Sequence, residues 1–420
     1  MIFINFISNI QGWEDLRMKR TISVGEGILD TAEQSVAKPK VFSRSRIENV
    51  DMLRGFVMIL MALDHVRYFF SMASFNPLDI SQTSFPWFMT RWITHLCAPS
   101  FVLLAGMGIG LSKKIPKTLS TFLFTRGCWL IFLEISIINI GWGTGVFLGV
   151  TTLGVLWALG VSMVFMAAGV YLNKKALLLI CLALIFGHNM LDSLDASFVA
   201  SIGPLWHILH KPGQIHIMDQ SVMVIYPIIP WVGLMGIGYL MSNWEKLNND
   251  QTMYLKLGVG LIGLFFILRL GGLYGDSMGW DSNQQGLTKT FLSLLNVSKY
   301  PPSLHYLLIT VGIGCTLLYF LRNLKSIPAL IFGTFGRAPL FFYIIHIPFI
   351  HLLAMVWQNF NYGLDWNWWH LKRNFPDEIM IPNLLTVYLA WLVTLVLLFP
   401  FTIKFEAFKS RSKAWWVSYL

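Results

Sequence analysis

The strongest constraint on the fold is a series of long apolar segments along the chain. Several exceed the roughly 20 residues that an α-helix needs to cross about 30 Å of hydrocarbon. Of the 420 residues, 55% are hydrophobic and 12% are charged, whereas about 25% of residues are charged in soluble domains. Strand-like alternation over about ten residues, which is typical of membrane β-barrels, is absent from the sequence. The sequence therefore predicts an all-α polytopic membrane protein whose backbone groups are paired within helices.

Ten apolar segments predict about ten transmembrane helices. They cover residues 51–72, 92–112, 119–140, 148–172, 175–191, 221–242, 255–273, 303–321, 328–354 and 380–404. Lys and Arg residues concentrate in the N-terminal region, in every second connector and in the C-terminal region. Because basic residues are retained on the cytoplasmic side, this pattern predicts that both termini are cytoplasmic.

The same pattern divides the chain into three regions. We expect a cytoplasmic, partly disordered tail over residues 1–46, a transmembrane domain over 47–405 and a basic cytoplasmic tail over 406–420. The chain has a net charge of +10, and its Lys and Arg residues lie mainly on one predicted side of the membrane. Basic connectors at a membrane surface meet anionic lipid. Membrane lipid is therefore an expected partner, and nucleic acid is not.

The first apolar segment contains ionisable residues that are costly in a membrane. Its sequence, DMLRGFVMILMALDHVRYFF, places Asp64, His65 and Arg67 within four positions. Arg54 lies eleven residues before His65, about three helical turns, so both side chains fall on nearly the same face, about 16 Å apart. Ionisable residues inside membranes usually line a cavity or a proton relay. We therefore interpret this face as functional, the alternative being that His65 is a hydrogen-bonded packing residue.

Polar residues in other segments are candidates for the same site. Arg126 and Glu134 flank the third segment, and for these two a structural role and a functional role are equally open. The other candidates are Arg337 and His346 in the ninth segment, and Lys299 and Tyr300 at the outer mouth of the eighth. Prolines interrupt the ninth segment, and a proline-broken membrane helix commonly borders a cavity. This favours a functional role for His346.

Metal sites and phosphate-binding loops receive little support. The motifs GxxxxGK, HExxH and GxSxG are absent from the sequence. The cysteines form no CxxC pair and are expected to be small packing residues; they are Cys97, Cys128, Cys181 and Cys315. His207, His210 and His216 share one outer loop, but their context is nonspecific and no metal is expected.

The Trp-rich outer loops fit an aromatic belt, with sugar stacking on exposed indoles as the alternative.

Several stretches together resemble one family of membrane enzymes. The opening IENVDMLRGFVMILMALDHVRYFF is similar to that of membrane-bound acyltransferases, above all bacterial relatives of heparan-α-glucosaminide N-acetyltransferase. The shared pattern is Asp51, Arg54 and Gly55, then an apolar helix and His65. Further similar stretches are RWITHLCAPSFVLLAGMGIGLS (91–112), RGCWLIFLE (126–134), YPIIPWVGLMGIGY (226–239), NVSKYPPSLHYLLITVG (296–312) and FGRAPLFFYIIHIPFIH (335–351). The resemblance spans nearly the whole chain after residue 46.

The resemblance implies a transmembrane acyltransferase in the bacterial cytoplasmic (inner) membrane. Such an enzyme transfers an acyl group, expected to be acetyl, from cytoplasmic acetyl-CoA to a glycan or a similar hydroxyl or amine acceptor on the other side. By position, His65 would be the catalytic histidine, as general base or acyl carrier, with Asp64 beside it. Arg54, together with Arg126 and Arg337, would hold the CoA phosphates. Supporting residues would be Arg67, Glu134, Lys299, Tyr300 and His346.

One departure from the family and one rival function affect this interpretation. The lysosomal branch uses a histidine slightly beyond the first helix, whereas residues 66–94 contain none and Asn76 lies in that neighbourhood. The catalytic role therefore falls on His65, while the acceptor and the formation of a homodimer stay open. The rival is a proton-coupled transporter or permease, because intramembrane Asp, His and Arg suit a proton relay equally well. A transporter would accumulate substrate in vesicles without consuming acyl-CoA.

Overall fold

The chain folds into a bundle of helices. The computed structural model describes residues 44–112, 114–194, 199, 201–244, 247, 250–363, 367–369 and 381–419. The expected N-terminal tail lies outside these residues as far as position 43. The helices are, in chain order, α1 (Arg44–Phe70), α2 (Phe85–Gly110), α3 (Pro116–Gly141), α4 (Val155–Gly169), α5 (Lys174–Ser193), α6 (Pro204–Leu209), α7 (Ile229–Ser242), α8 (Thr252–Leu270), α9 (Leu287–Leu295), α10 (Leu304–Leu321), α11 (Ser326–Arg337), α12 (Pro339–Tyr362) and α13 (Leu384–Arg411).

These helices confirm the predicted fold class. Each of the ten apolar segments contains a helix, and seven of the described helices are long and apolar enough to span a membrane. Two others, α4 and α7, are apolar but shorter. The first helix has 27 residues and begins at Arg44, before the predicted start of its segment at position 51. The protein is therefore an integral, multi-pass membrane protein.

The ninth predicted segment forms two helices. Helix α11 ends at Arg337 and α12 begins at Pro339, so the chain breaks at Ala338, which has φ −124° and ψ 48°. A proline is favourable at the first position of a helix, where its missing N–H would be unpaired in any case. Pro339 therefore interrupts the segment as expected. Pro348 does not, because it lies inside the continuous helix α12.

Two predicted segments begin as strands, which corrects the sequence prediction. Strands β1 (Val150–Leu153), β2 (Gly213–Ile217) and β3 (Gln220–Val224) form one sheet in the order β1-β3-β2. Strand β3 pairs parallel with β1 and antiparallel with β2. Residues of β1 alternate between partly exposed and buried, the period of a strand, and its Val and Thr residues are β-branched. Continuous helix from residue 148 and from residue 221 is therefore wrong.

Helix α1 is packed among several other helices. It contacts the second half of α2 as well as α10, α11, α12 and α13. Its approach to α11 is close: a Cβ on Gly55 would collide with the Phe332 carbonyl, and one on Gly336 would collide with the Asp51 carbonyl. Small residues allow this kind of packing between membrane helices. The polar residues of α1 are thereby held against α11 and α12.

Candidate active site

A pair of histidines joins α1 to α12. His65 Nδ1 lies 2.7 Å from His346 Nε2, and the two rings are stacked with centroids 5.0 Å apart. His346 is fully buried, whereas His65 is partly accessible. Two candidates that are 281 positions apart in the sequence therefore form one dyad.

The hydrogen bonds of His346 fix the proton positions of the dyad. Its Nδ1 lies 2.9 Å from the Phe342 carbonyl oxygen and 2.8 Å from that of Tyr343. Carbonyl oxygens only accept hydrogen bonds, so Nδ1 of His346 bears the proton and its Nε2 has the lone pair. His65 Nδ1 must then donate to that lone pair. In neutral His65, the unprotonated and basic nitrogen is consequently Nε2.

Aromatic rings surround the His65 imidazole. The Trp142 ring meets it edge-on with centroids 4.9 Å apart, and the Tyr343 ring lies at 6.4 Å. Trp142 also stacks on Phe69, with centroids 5.4 Å apart. These contacts fix the plane of the His65 ring, which positions its Nε2 atom.

Asp64 makes ion pairs on a different side of α1. Its carboxylate accepts from Arg67 at 2.9 Å, and both of its oxygens lie 2.5 Å from Arg91 Nη1 of α2. None of the hydrogen bonds described for Asp64 joins it to His65, which agrees with the expected 100° between successive helical residues. Asp64 can therefore influence His65 through its charge and through the position of α1.

Lys299 and Tyr300 are the candidate residues just before α10, and Lys299 lies within electrostatic range of Asp64. The Lys299 ammonium is 5.1 Å from the centre of the Tyr300 ring, and the Tyr300 hydroxyl donates to Tyr226 at 3.4 Å. Lys299 is buried and lies within electrostatic range of both Asp64 and His65. We call Asp64, Arg67, Arg91 and Lys299 the loop-side cluster.

A cavity of about 440 Å³ occupies the other half of the bundle. Its basic lining residues, which we call the basic mouth, are Arg54, Lys114, Arg126, Arg337 and Lys409. The remaining lining is mainly apolar and comes from helices α1, α2, α3, α4 and α12. It includes Tyr343, whose ring is a neighbour of the His65 ring. Tyr343 therefore contacts both the cavity and the His65 ring, although neither His65 nor His346 lines the cavity itself.

The cations of the basic mouth are held in different ways. Arg54 donates to Asp51 at 2.8 Å and to the Gly336 carbonyl at 3.2 Å, and Arg337 pairs with Glu406. Lys114 lies 3.5 Å from the centre of the Phe122 ring, a cation–π contact. Phe122 also lines the cavity. Among the described residues, Asp51 and Glu406 are the carboxylates seen to pair with cations of the mouth.

Glu134 has a structural role in this arrangement. Its carboxylate is buried and accepts from the backbone N–H of Leu156 at 2.8 Å and of Trp157 at 3.3 Å. These donors belong to the first turn of α4, where an anionic side chain satisfies otherwise unpaired N–H groups. Because Leu156 lines the cavity, Glu134 fixes one wall of it.

The described part of the chain contains no group of three or more His, Cys, Asp or Glu side chains arranged to hold a metal ion. His210 instead pairs with Asp192 at 2.8 Å, and His207 Nδ1 lies 3.1 Å from the Lys211 carbonyl. His216 is exposed on β2. The three loop histidines therefore have separate environments.

Sequence reasoning missed several residues of the site. Three basic residues were explained by the distribution of Lys and Arg between the two sides of the membrane: Arg91, Lys114 and Lys409. Nothing in their local sequence marks them as site residues. Tyr343 lies between Arg337 and His346 in the sequence. Because this segment is rich in aromatic residues, nothing distinguishes Tyr343 from its neighbours as a site residue. The missed residue with a usable signal is His95, a histidine inside an apolar segment, which is buried with both ring nitrogens unpaired.

Comparison with known proteins gives one family. The family model for the catalytic region of heparan-alpha-glucosaminide N-acetyltransferase matches residues 46–263. This range contains Arg54, His65 and Arg126, whereas Lys299 and His346 lie beyond it. No curated protein matches the chain.

Proposed function

This chain belongs to the heparan-alpha-glucosaminide N-acetyltransferase catalytic family, and we propose that it moves an acetyl group from cytoplasmic acetyl-CoA to an acceptor across the membrane. The family makes the protein a membrane-spanning acetyltransferase. The donor, the direction of transfer and the catalytic histidine are parts of the proposal. Its main support is the basic nitrogen of His65, which His346 orients, together with Tyr343, a neighbour of the His65 ring that lines a cavity with five basic residues.

The basic mouth suits the nucleotide end of acetyl-CoA. CoA has several phosphate groups, and arginine binds phosphate with two parallel hydrogen bonds. In the proposal Arg54, Arg126 and Arg337 hold these phosphates, assisted by Lys114 and Lys409. The mainly apolar walls beyond them accept the thin pantetheine arm, which brings the thioester toward Tyr343. The basic mouth then faces the cytoplasm, as the positive-inside rule predicts.

The histidine dyad supplies the base for the transfer. His65 Nε2 removes a proton from an acceptor hydroxyl or amine while the acceptor atom attacks the thioester carbonyl carbon. The tetrahedral intermediate collapses, the C–S bond breaks with its electron pair on sulfur, and the proton passes from His65 to give the CoA thiol. A positioned general base contributes about 10²- to 10⁴-fold to the rate. In the acyl-carrier alternative the same nitrogen attacks the thioester itself.

The proposal is tested with purified protein and radiolabelled acetyl-CoA. Wild-type protein mixed with a panel of amino sugars and envelope glycans should release CoA and label an acceptor. His65→Ala should abolish labelling while the protein still purifies as a folded species. His216→Ala, which removes an exposed histidine on β2, is the matched control and should behave as wild type. Full turnover by His65→Ala would refute the assignment.

The same purified protein, reconstituted in proteoliposomes, distinguishes the acyltransferase from a transporter. Proteoliposomes of a proton-coupled transporter would accumulate a solute against its gradient without consuming acetyl-CoA. The proposed enzyme should release CoA and show no such accumulation.

A further inference from the structure

The loop-side cluster has more positive charge than its carboxylate can neutralise. Asp64 is paired with both Arg67 and Arg91, and Lys299 adds a third cation within electrostatic range. In the described part of the chain, no carboxylate forms an ion pair with Lys299, and its ammonium group lies over the face of the Tyr300 ring. The cluster therefore has a formal excess of positive charge in a mostly buried place.

Buried polar atoms in this region have no hydrogen-bond partner. Arg67 Nε–H is one such donor, and both ring nitrogens of His95 are also unpaired, one of which is a donor and the other an acceptor in a neutral imidazole. His95 is only 1% exposed and lies within electrostatic range of Lys299 and Arg91. An unpaired buried polar group destabilises the fold, and an uncompensated buried charge destabilises it more. The surplus charge of the cluster and the unpaired N–H group of Arg67 both point to an anionic ligand, and the N–H group of His95 lies within electrostatic range of them.

The loop-side cluster is partly accessible at the protein surface. The side chains of Asp64, Arg67 and Arg91 are 17%, 12% and 16% exposed, so the cluster is not sealed. It also adjoins His65, because Asp64 and Arg67 lie one and two residues from it in the same helix. The cluster is separate from the basic mouth, since Arg54 lies about 15 Å from Asp64 along α1. An anion bound here would thus be distinct from the CoA phosphates.

We propose that the loop-side cluster is an oxyanion subsite that selects an acceptor with a phosphate, sulfate or carboxylate group close to the atom that is acylated. Arg67 and Lys299 contact the oxyanion, while Asp64 holds Arg67 and Arg91 in position. A bound anion also offsets the cationic field next to His65, where a proton has to be accepted in the transfer step. This inference rests on the proposed acyl transfer and specifies its acceptor.

The experiment compares matched acceptors. Wild-type protein is assayed with acetyl-CoA and either glucosamine, glucosamine 6-sulfate or glucosamine 6-phosphate. The kcat/KM should be higher for the charged sugars by about tenfold or more, the effect of one charge-assisted hydrogen bond. Lys299→Met should remove this preference and Lys299→Arg, which keeps the charge, should retain it. Lys289→Met, in α9, is the control and should change nothing.

A second measurement does not depend on turnover. Sodium sulfate should raise the Tm of the wild-type protein and of Lys299→Arg more than that of Lys299→Met. Vesicles of phosphatidylglycerol, compared with phosphatidylcholine, distinguish a lipid headgroup from a sugar as the source of the oxyanion. Competition by phosphatidylglycerol with no preference among the sugars would support the subsite and overturn its role in acceptor selection.

The two proposals fail differently. Transfer to neutral and charged sugars with equal kcat/KM, together with no effect of sulfate, would overturn the subsite while leaving acyl transfer intact. No transfer to any acceptor, with sulfate stabilisation that depends on Lys299, would refute the acyl transfer and retain the anion site.

Discussion

Replacing His346 tests the dyad without removing the proposed base. In His346→Leu, His65 Nδ1 loses the acceptor that now lies 2.7 Å away. An unpaired buried group costs about 1–3 kcal/mol, and about 1.4 kcal/mol corresponds to tenfold, so loss of positioning alone predicts a fall of about 5- to 150-fold in kcat. The proton of His65 is then also free to move to Nε2, which removes the base and adds to the loss.

The expected effect falls on kcat and not on donor binding. The basic mouth is unchanged in His346→Leu, so the KM for acetyl-CoA should stay within about twofold of wild type. His346→Gln offers an amide oxygen that can accept from His65 Nδ1, and it should recover most of the kcat lost in His346→Leu. Initial rates with labelled acetyl-CoA measure both quantities. Wild-type kcat in His346→Leu, or equal kcat in the two folded variants, would refute the reasoning.

Three further predictions concern the cavity and the bundle. Arg126→Met should raise the KM for acetyl-CoA by about tenfold at low salt, with a smaller effect at high salt, because it removes a phosphate-binding cation. The exposed Lys175→Met should leave the KM unchanged in the same rate assay. Glu134→Ala should destabilise the fold by about 1–3 kcal/mol in denaturant titrations, because two backbone N–H groups lose their acceptor; unchanged stability would contradict this. Gly55→Ala should lower stability by about 2 kcal/mol or more through a clash with α11, whereas Gly260→Ala, with no atom within 4 Å of the added methyl, should be neutral or stabilising.

The helices of this fold were predictable because lipid imposes a simple rule on sequence. A membrane helix must satisfy its own backbone and present apolar side chains, so its position is evident from hydropathy. The strands Val150–Leu153 and Gln220–Val224 were missed for the same reason. They are short apolar stretches joined to apolar helices, and hydropathy does not separate the two.

The site was predictable in its parts but not in its pairings. The spacing of Arg54 and His65 placed both on one face of α1, and each meets α11 or α12 there. Nothing in the linear sequence indicated that His65 bonds to His346, or that Arg91 pairs with Asp64. Such pairings depend on how helices that are distant in sequence pack together. The local sequence around a charged residue does not show whether that residue has a partner.

Transfer across the membrane by His65 can be tested in sealed proteoliposomes with amino sugars or glycans trapped inside and labelled acetyl-CoA added outside. We expect labelled acceptor inside vesicles whose basic mouth faces outward, with the label lost in His65→Ala and kept in His216→Ala. Labelled product that forms only when donor and acceptor share one compartment, or that persists without the His65 imidazole, would contradict this expectation.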